Sequence, residues 1–185
     1  AANFLNLERF KKTVPDQTSV LLLRDRNNLY FGFTCLCTNP SNIRAIAWAG
    51  ERDTEQILKD DAIEIMLDTT LSRNDSYRWV VNSKGAVWDC ESHRLPETDT
   101  MVPSSQWDSR AEVAGRPEGK AWIAEIKIPL ACFAPRDLKA LRENKAWGLQ
   151  FGRRNPGAPE GELSAWSYSF DIPEPKYFGL ARFSG

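Results

Sequence analysis

The sequence predicts an all-β protein, a two-sheet antiparallel β-sandwich of the jelly-roll or immunoglobulin-like kind with one short helix. Short segments of alternating apolar and polar residues recur from end to end, turn-forming residues separate them, and only one stretch has helical spacing. Aromatic content agrees: 7 Trp, 9 Phe and 4 Tyr in 185 residues suit an aromatic-packed sandwich core or a surface that stacks on flat ligands.

The elements follow in order. Residues 17–24 (QTSVLLLR) and 29–37 (LYFGFTCLC) flank Asp25-Arg26-Asn27-Asn28, a polar stretch of hairpin length. Residues 62–68 (AIEIMLD) place Ile63, Ile65 and Leu67 on one face, so Glu64 points away from them. Residues 77–91 (YRWVVNSKGAVWDCE) read as a hairpin closed by a two-residue turn at Lys84-Gly85. That register sets Val81 opposite Trp88, Trp79 opposite Cys90 and Arg78 opposite Glu91. Trp79, Val81, Trp88 and Cys90 then share a core face. Arg78, Asn82, Asp89 and Glu91, around Val80 and Val87, share a polar one with an Arg78–Glu91 cross-strand pair.

Residues 120–128 align Trp122, Ala124, Ile126 and Ile128 and stop at Pro129. Residues 137–144 follow Pro135, carry the Leu138–Leu141 spacing and read as the short helix. Residues 146–154 turn Trp147, Leu149 and Phe151 inward, and residues 163–170 and 177–183 supply the last strands. Segments 38–61 and 92–106 read as long loops of the kind that often carry binding. No repeat, low-complexity tract or linker interrupts the chain, so residues 1–185 read as a single domain.

Several function classes recede at once. Lys and Arg number 24 against 25 Asp and Glu, for a net charge of −1 and no dense basic run, which argues against nucleic acid as a partner. The longest apolar runs have five residues, far short of the roughly 18 that a membrane span needs. One histidine, no P-loop, no G-x-G-x-x-G and no G-x-S-x-G leave no sign of an organic cofactor or of the commonest catalytic sites. Cys35 and Cys37 share a strand face and cannot bridge each other, while a Cys90–Cys132 pairing stays open. The opening residues hold no charged-then-apolar leader, so an export signal is absent or already removed.

Specific strings recur in a familiar order: QTSVLLLRDRNNLYFGF, DDAIEIMLD at residues 60–68, WIAEIKIPL at 122–130, WGLQFGR at 147–153, SAW at 164–166 and FGLARF at 178–183. Together they resemble a family 9 carbohydrate-binding module within the wider DOMON-like group. The resemblance implies a β-sandwich, Ca²⁺ as a structural ion and a non-catalytic role. It also implies a secreted, periplasmic or cell-surface location within a larger glycan-active protein, with an oligo- or polysaccharide and neighbouring domains as partners. Sugar-binding members hold a terminal sugar between two Trp rings. Here Leu58 stands at the first ring's position, and segment 170–177, which contains no Trp, at the second. Glu64 and Asn82 match the family's sugar-reading carboxylate and amide, whereas Val80 replaces an arginine and Gly152 a glutamine.

The candidate ligand site is accordingly Glu64, Asn82 and Arg78 on the polar sheet face. Trp48, in the long loop beside Gly50, is the exposed stacking ring. The acidic residues Asp53, Asp60 and Asp61 are the expected calcium ligands. Trp79, Trp88, Trp122 and Trp147 read as core, and Trp166 shares a face with Tyr168 and Phe170. Arg153 and Arg154 near Asp171 read as a salt-bridged strand end or as contacts to an acidic glycan. Three other classes stay open: a structural or interdomain module, a glycoside hydrolase pairing Glu64 with Asp89 or Glu91, and a haem domain with Met66, Met101 or His93 as axial ligands.

Overall fold

The computed structural model describes residues 1–7, 13–104, 106–158, 161–169 and 172–182. Phe170, Asp171 and Phe183 lie outside them. In chain order the elements are β1 (Leu5–Asn6), β2 (Thr18–Arg24), β3 (Asn28–Leu36), β4 (Ala62–Asp68), β5 (Asp75–Asn82), β6 (Val87–Leu95), β7 (Thr100–Ser104), β8 (Glu112–Glu118) and β9 (Ala121–Pro129). They continue with α1 (Pro135–Glu143), β10 (Ala146–Asn155), β11 (Glu162–Ala165) and β12 (Gly179–Arg182). The large sheet runs β1-β11-β10-β4-β5-β6-β7, with β12 beside the first half of β10, and the small sheet runs β2-β3-β9-β8. All pairings between these strands are antiparallel, so the predicted sandwich is the observed architecture.

Period-two patterning explains the core. The small sheet turns Leu29, Phe31, Phe33 and Cys35 inward beside Trp122, Ala124, Ile126 and Ile128. The large sheet answers with Ile63, Ile65, Leu67, Trp79, Val81, Trp147, Leu149 and Phe151. Phe31 and Phe33 meet the Phe151 ring edge-on at 6.0 and 5.8 Å, the geometry that ring quadrupoles favour. One charged pair is buried here. Arg153 donates to both Asp61 carboxylate oxygens at 3.1 Å and to the carbonyls of Asp16 and Leu36, so β10 is tied to the chain at both ends of the β2–β3 hairpin. Burial opposes the Arg153 charge, and neighbouring Cys35 and Asp61 outweigh that, raising its pKa.

The β5–β6 hairpin differs from the expected register by one residue. Its loop has three residues, Ser83 to Gly85, because Gly85 takes φ +80 and the Asn82 and Ala86 backbones pair across it. A type I turn followed by a left-handed glycine is the usual three-residue hairpin, and the extra residue slides β6 past β5. Val81 therefore faces Val87, Val80 faces Trp88, Trp79 faces Asp89 and Arg78 faces Cys90. Trp88 and Cys90 leave the inter-sheet core for the outer face of the large sheet, and Asp89 moves to the inner side. The Arg78–Glu91 pair is not formed: Glu91 lies opposite Tyr77, and Arg78 reaches Glu64.

The other differences concern edges. Residues 92–106, expected as a loop, supply the end of β6 and all of β7. β8, absent from the sequence prediction, contains Gly115 and Pro117, residues tolerated only because it is an edge strand. Gly115 is also required, since a Cβ there would lie 2.7 Å from the Gly85 nitrogen and the Ser83 carbonyl. α1 starts two residues early, at Pro135, which fits the first helical position because proline has no N–H to leave unpaired. All four cysteines are free, which answers the Cys90–Cys132 question.

Candidate functional site

Glu64 lies on the outer side of β4, as the strand parity predicts, yet it is completely buried. Its Oε2 accepts from Arg78 Nε at 3.0 Å and Nη2 at 2.6 Å, and its Oε1 accepts from Arg154 Nε at 2.6 Å. Burial alone pushes the Glu64 pKa up, but the two guanidiniums outweigh it, and the carboxyl is held below its usual range. Beside it, a Cβ on Gly152 would meet Ile172 at 3.1 Å. The two arginines engage both carboxylate oxygens, and no oxygen of Glu64 faces solvent.

Asn82 is equally enclosed. Its Nδ2 donates to the Ala47 carbonyl and to Asp60 Oδ2, both at 2.9 Å, and its Oδ1 accepts from the Lys84 and Ala86 amides at 3.0 Å. That set fills its donor and acceptor capacity and explains why Asn suits the position: one side chain closes the hairpin loop and anchors the long loop above. Asp60 completes the anchor by accepting from the Ile46 and Ala47 amides. Trp48, at the tip of that loop, is 67% exposed, with Lys84 Nζ 4.1 Å above its ring. Lys84 belongs to the hairpin loop past Asn82, the end of β5, four residues or roughly 13 Å along the strand from Arg78, and Trp48 does not line the cleft that Arg78 lines.

A cleft of about 340 Å³ opens on this outer face at the Arg78 end. Ser76 and Arg78 of β5, Cys90 and Ser92 of β6 and Met66 of β4 line one part, Thr100 and Met101 of β7 another, and Pro173 and Glu174 a third. Ionic contacts hold the rim. Arg94 donates to the Asp99 carbonyl at 2.8 Å and to the Glu174 carboxylate, and Lys176 Nζ reaches Asp99 Oδ2 at 2.7 Å. The β6–β7 turn and the segment before β12 are therefore fastened to each other. Arg78 also stacks 5.5 Å over Trp88, the ring that the hairpin shift turned outward. The cleft combines hydroxyls, a guanidinium and apolar thioether and proline surface, a set that can hydrogen-bond a polyol and cover its C–H face. No aromatic ring lines it among the described residues.

The expected calcium ligands do not converge. Asp60 holds loop amides and Asn82, Asp61 holds Arg153, and Asp53, at φ +56, accepts from the Asp89 amide at 3.5 Å. Among the described residues no group of three or more His, Cys, Asp or Glu side chains is placed to share a metal ion. The carboxylate pairs weighed for hydrolysis also separate. Glu64 faces outward, while Asp89 lies on the inner side, bonded to Ser109 Oγ and Arg52. Met66 and Met101 both line the cleft, whereas His93 bonds Asp75 and does not line it, so the histidine does not join the two thioethers. Arg154 pairs with Glu64, and its predicted neighbour Asp171 lies outside the described residues.

No protein-family model matches the chain, and no curated protein is similar to it in sequence. Solved structures are similar to it in fold. A candidate carbohydrate-binding protein from Bacteroides uniformis matches with TM-score 0.67 and 14% identity, over 100% of this chain and 86% of that one. A family 9 carbohydrate-binding module from Caldicellulosiruptor kristjanssonii in complex with glucose matches with TM-score 0.62 and 14% identity, over 100% and 84%. One from the same organism in complex with cellotriose gives 0.63 and 14%, over 100% and 83%. The fold is therefore that of the carbohydrate-binding β-sandwiches. Among these, it is the fold of the family 9 modules.

Proposed function

We propose that the chain is a non-catalytic saccharide-binding domain whose ligand lies in the cleft on the outer face of the large sheet. The supporting observation is that, in a fold shared with modules solved with glucose and with cellotriose, this face opens into a cleft whose groups suit sugar hydroxyls. Ser76, Ser92, Thr100 and Arg78 supply the polar contacts, and Met66 and Met101 the apolar ones. Glu64 serves as the fixed counter-charge beneath Arg78, and Asn82 acts through the loop it anchors. Without a stacking ring the binding is weak. Covering about 100 Å² of sugar face is worth roughly 2.5 kcal/mol, nearly two powers of ten in Kd. In this role the domain holds an attached or partner glycan-active enzyme on polysaccharide outside the cytoplasm.

Affinity electrophoresis against a panel of soluble glycans tests the proposal with wild type, Ser92→Phe and Trp48→Ala. The Phe ring fills the cleft without entering the core. Retention that Ser92→Phe abolishes and Trp48→Ala keeps supports the cleft, and loss in Trp48→Ala alone moves the ligand to the loop tip. No retention of wild type on any glycan favours a second reading, an interdomain module that binds no sugar. Its supporting observation is that Leu21 and Leu23 stand 75% and 70% exposed along a mostly apolar trough of about 510 Å³ on the small sheet.

A further inference from the structure

We propose that the chain carries a separate oxyanion-binding site at the β2–β3 turn, independent of the saccharide cleft on the large sheet. Arg24, Arg26 and Arg142 line a cleft of about 340 Å³ there, together with Asp25 and the buried Leu130. Arg24 ends β2, Arg26 lies in the turn and Arg142 is in the last turn of α1. The turn is held in place by the Leu130 amide, which donates to the Asn27 carbonyl at 2.7 Å.

The three cations are not equivalent. Arg24 is fixed at two points: Nη1 donates to the Leu141 carbonyl at 2.6 Å, and the guanidinium lies 5.6 Å over the Trp147 ring. Leu141 is among the last carbonyls of α1, so the same bond offsets the negative helix end beside the cleft. Arg26 and Arg142 have no hydrogen-bond, carboxylate or ring partner among the described residues. Glu143, next to Arg142, turns to Lys139 instead. The one carboxylate at the cleft among the described residues, Asp25, accepts from the Asn27 and Asn28 amides and the Tyr30 hydroxyl, each at 2.7 Å.

One anchored guanidinium and two unpaired ones thus face a carboxylate that is already engaged. Guanidinium groups present paired N–H donors that match the oxygens of sulfate, phosphate and carboxylate, and a neutral sugar gains little from them. The ligand is therefore a single oxyanion. Its source is a sulfate ester or uronate carboxylate on an acidic glycan, or a free inorganic anion.

The test combines amide-shift titration with sodium sulfate and affinity electrophoresis in dextran sulfate, polygalacturonate and neutral dextran. Wild type is compared with Arg26→Gln/Arg142→Gln and with the charge-matched control Arg44→Gln/Lys59→Gln, whose residues lie elsewhere. Neither cleft arginine holds the fold, so both double variants should melt as wild type does. The proposal expects saturable sulfate shifts around Arg24 to Asn28, at least about tenfold weaker in the cleft variant and within about twofold in the control. Retention by dextran sulfate alone assigns a sulfate ester, by polygalacturonate alone a uronate, and by neither a free anion. Non-saturating shifts, or equal weakening in both variants, would overturn it, and neither result bears on the saccharide cleft.

Discussion

Replacing Glu64 by Gln should cost the protein more than an ordinary surface change, and the cost should vanish in acid. The substitution keeps the volume but leaves Arg78 and Arg154 without their counter-charge. Breaking a buried ion pair from one side costs about 3–5 kcal/mol when the remaining charge stays dry. The Arg78 and Arg154 side chains retain 15% and 30% exposure, so water recovers part of the loss and the lower end, about 3 kcal/mol, applies. For 185 residues the unfolding entropy is about 0.4 kcal/mol per degree, so Tm should fall by about 8 °C at pH 7. The folded Glu64 pKa is depressed, so its stabilisation is complete above the unfolded carboxylate value of about 4.5 and is lost as pH falls through the folded value. Calorimetry of wild type and Glu64→Gln at pH 7 and pH 3 should show the gap closing as the wild-type carboxylate protonates. A Tm difference below about 2 °C at pH 7, or one that does not change with pH, would refute the reasoning.

Further outcomes follow from the same contacts. Asn82→Ala removes four hydrogen bonds from the hairpin loop and the segment above it, so limited proteolysis should cut the variant between residues 44 and 60 while wild type resists. Gly115→Ala, which forces a Cβ against the Gly85 and Ser83 backbones, should lower the stability read from urea unfolding by about 2 kcal/mol, and Gly32→Ala, with open space around it and no positive φ, by less. EDTA should leave Tm unmoved, because Asp53, Asp60 and Asp61 have other partners; a drop of several degrees reversed by Ca²⁺ would contradict this. Incubation with cello-oligosaccharides should release no reducing ends, and release that Glu64→Gln abolishes would reinstate hydrolysis.

Strand parity made much of the sandwich legible. Ile63, Ile65 and Leu67 alternate with Glu64, and Trp122 with Ile123, so the inward set could be read directly. Parity alone does not settle the β5–β6 loop, where Lys84-Gly85 fits a two- or a three-residue turn and the difference flips every residue of β6. β8 was hidden by Gly115 and Pro117, whose edge position only the assembled sheet reveals. Glu64 and Arg78 were found on the correct face, but their pairing was not, since it depends on which row of β5 meets β4. The cleft was the least legible feature. Its rim joins Asp99 and Glu174, 75 positions apart, through Arg94, and nothing local to any of the three residues signals that contact.

The central claim is that a saccharide sits in the cleft of the large sheet, and an amide-shift titration with the best-retained glycan tests it most directly. The account predicts saturable shifts at Ser76 to Arg78, Cys90 to Ser92, Thr100 and Met101, and Glu174, with Ala47 to Gly50 unmoved. Shifts confined to the Trp48 loop or to the Leu21–Leu23 trough, with the cleft amides silent, would contradict it.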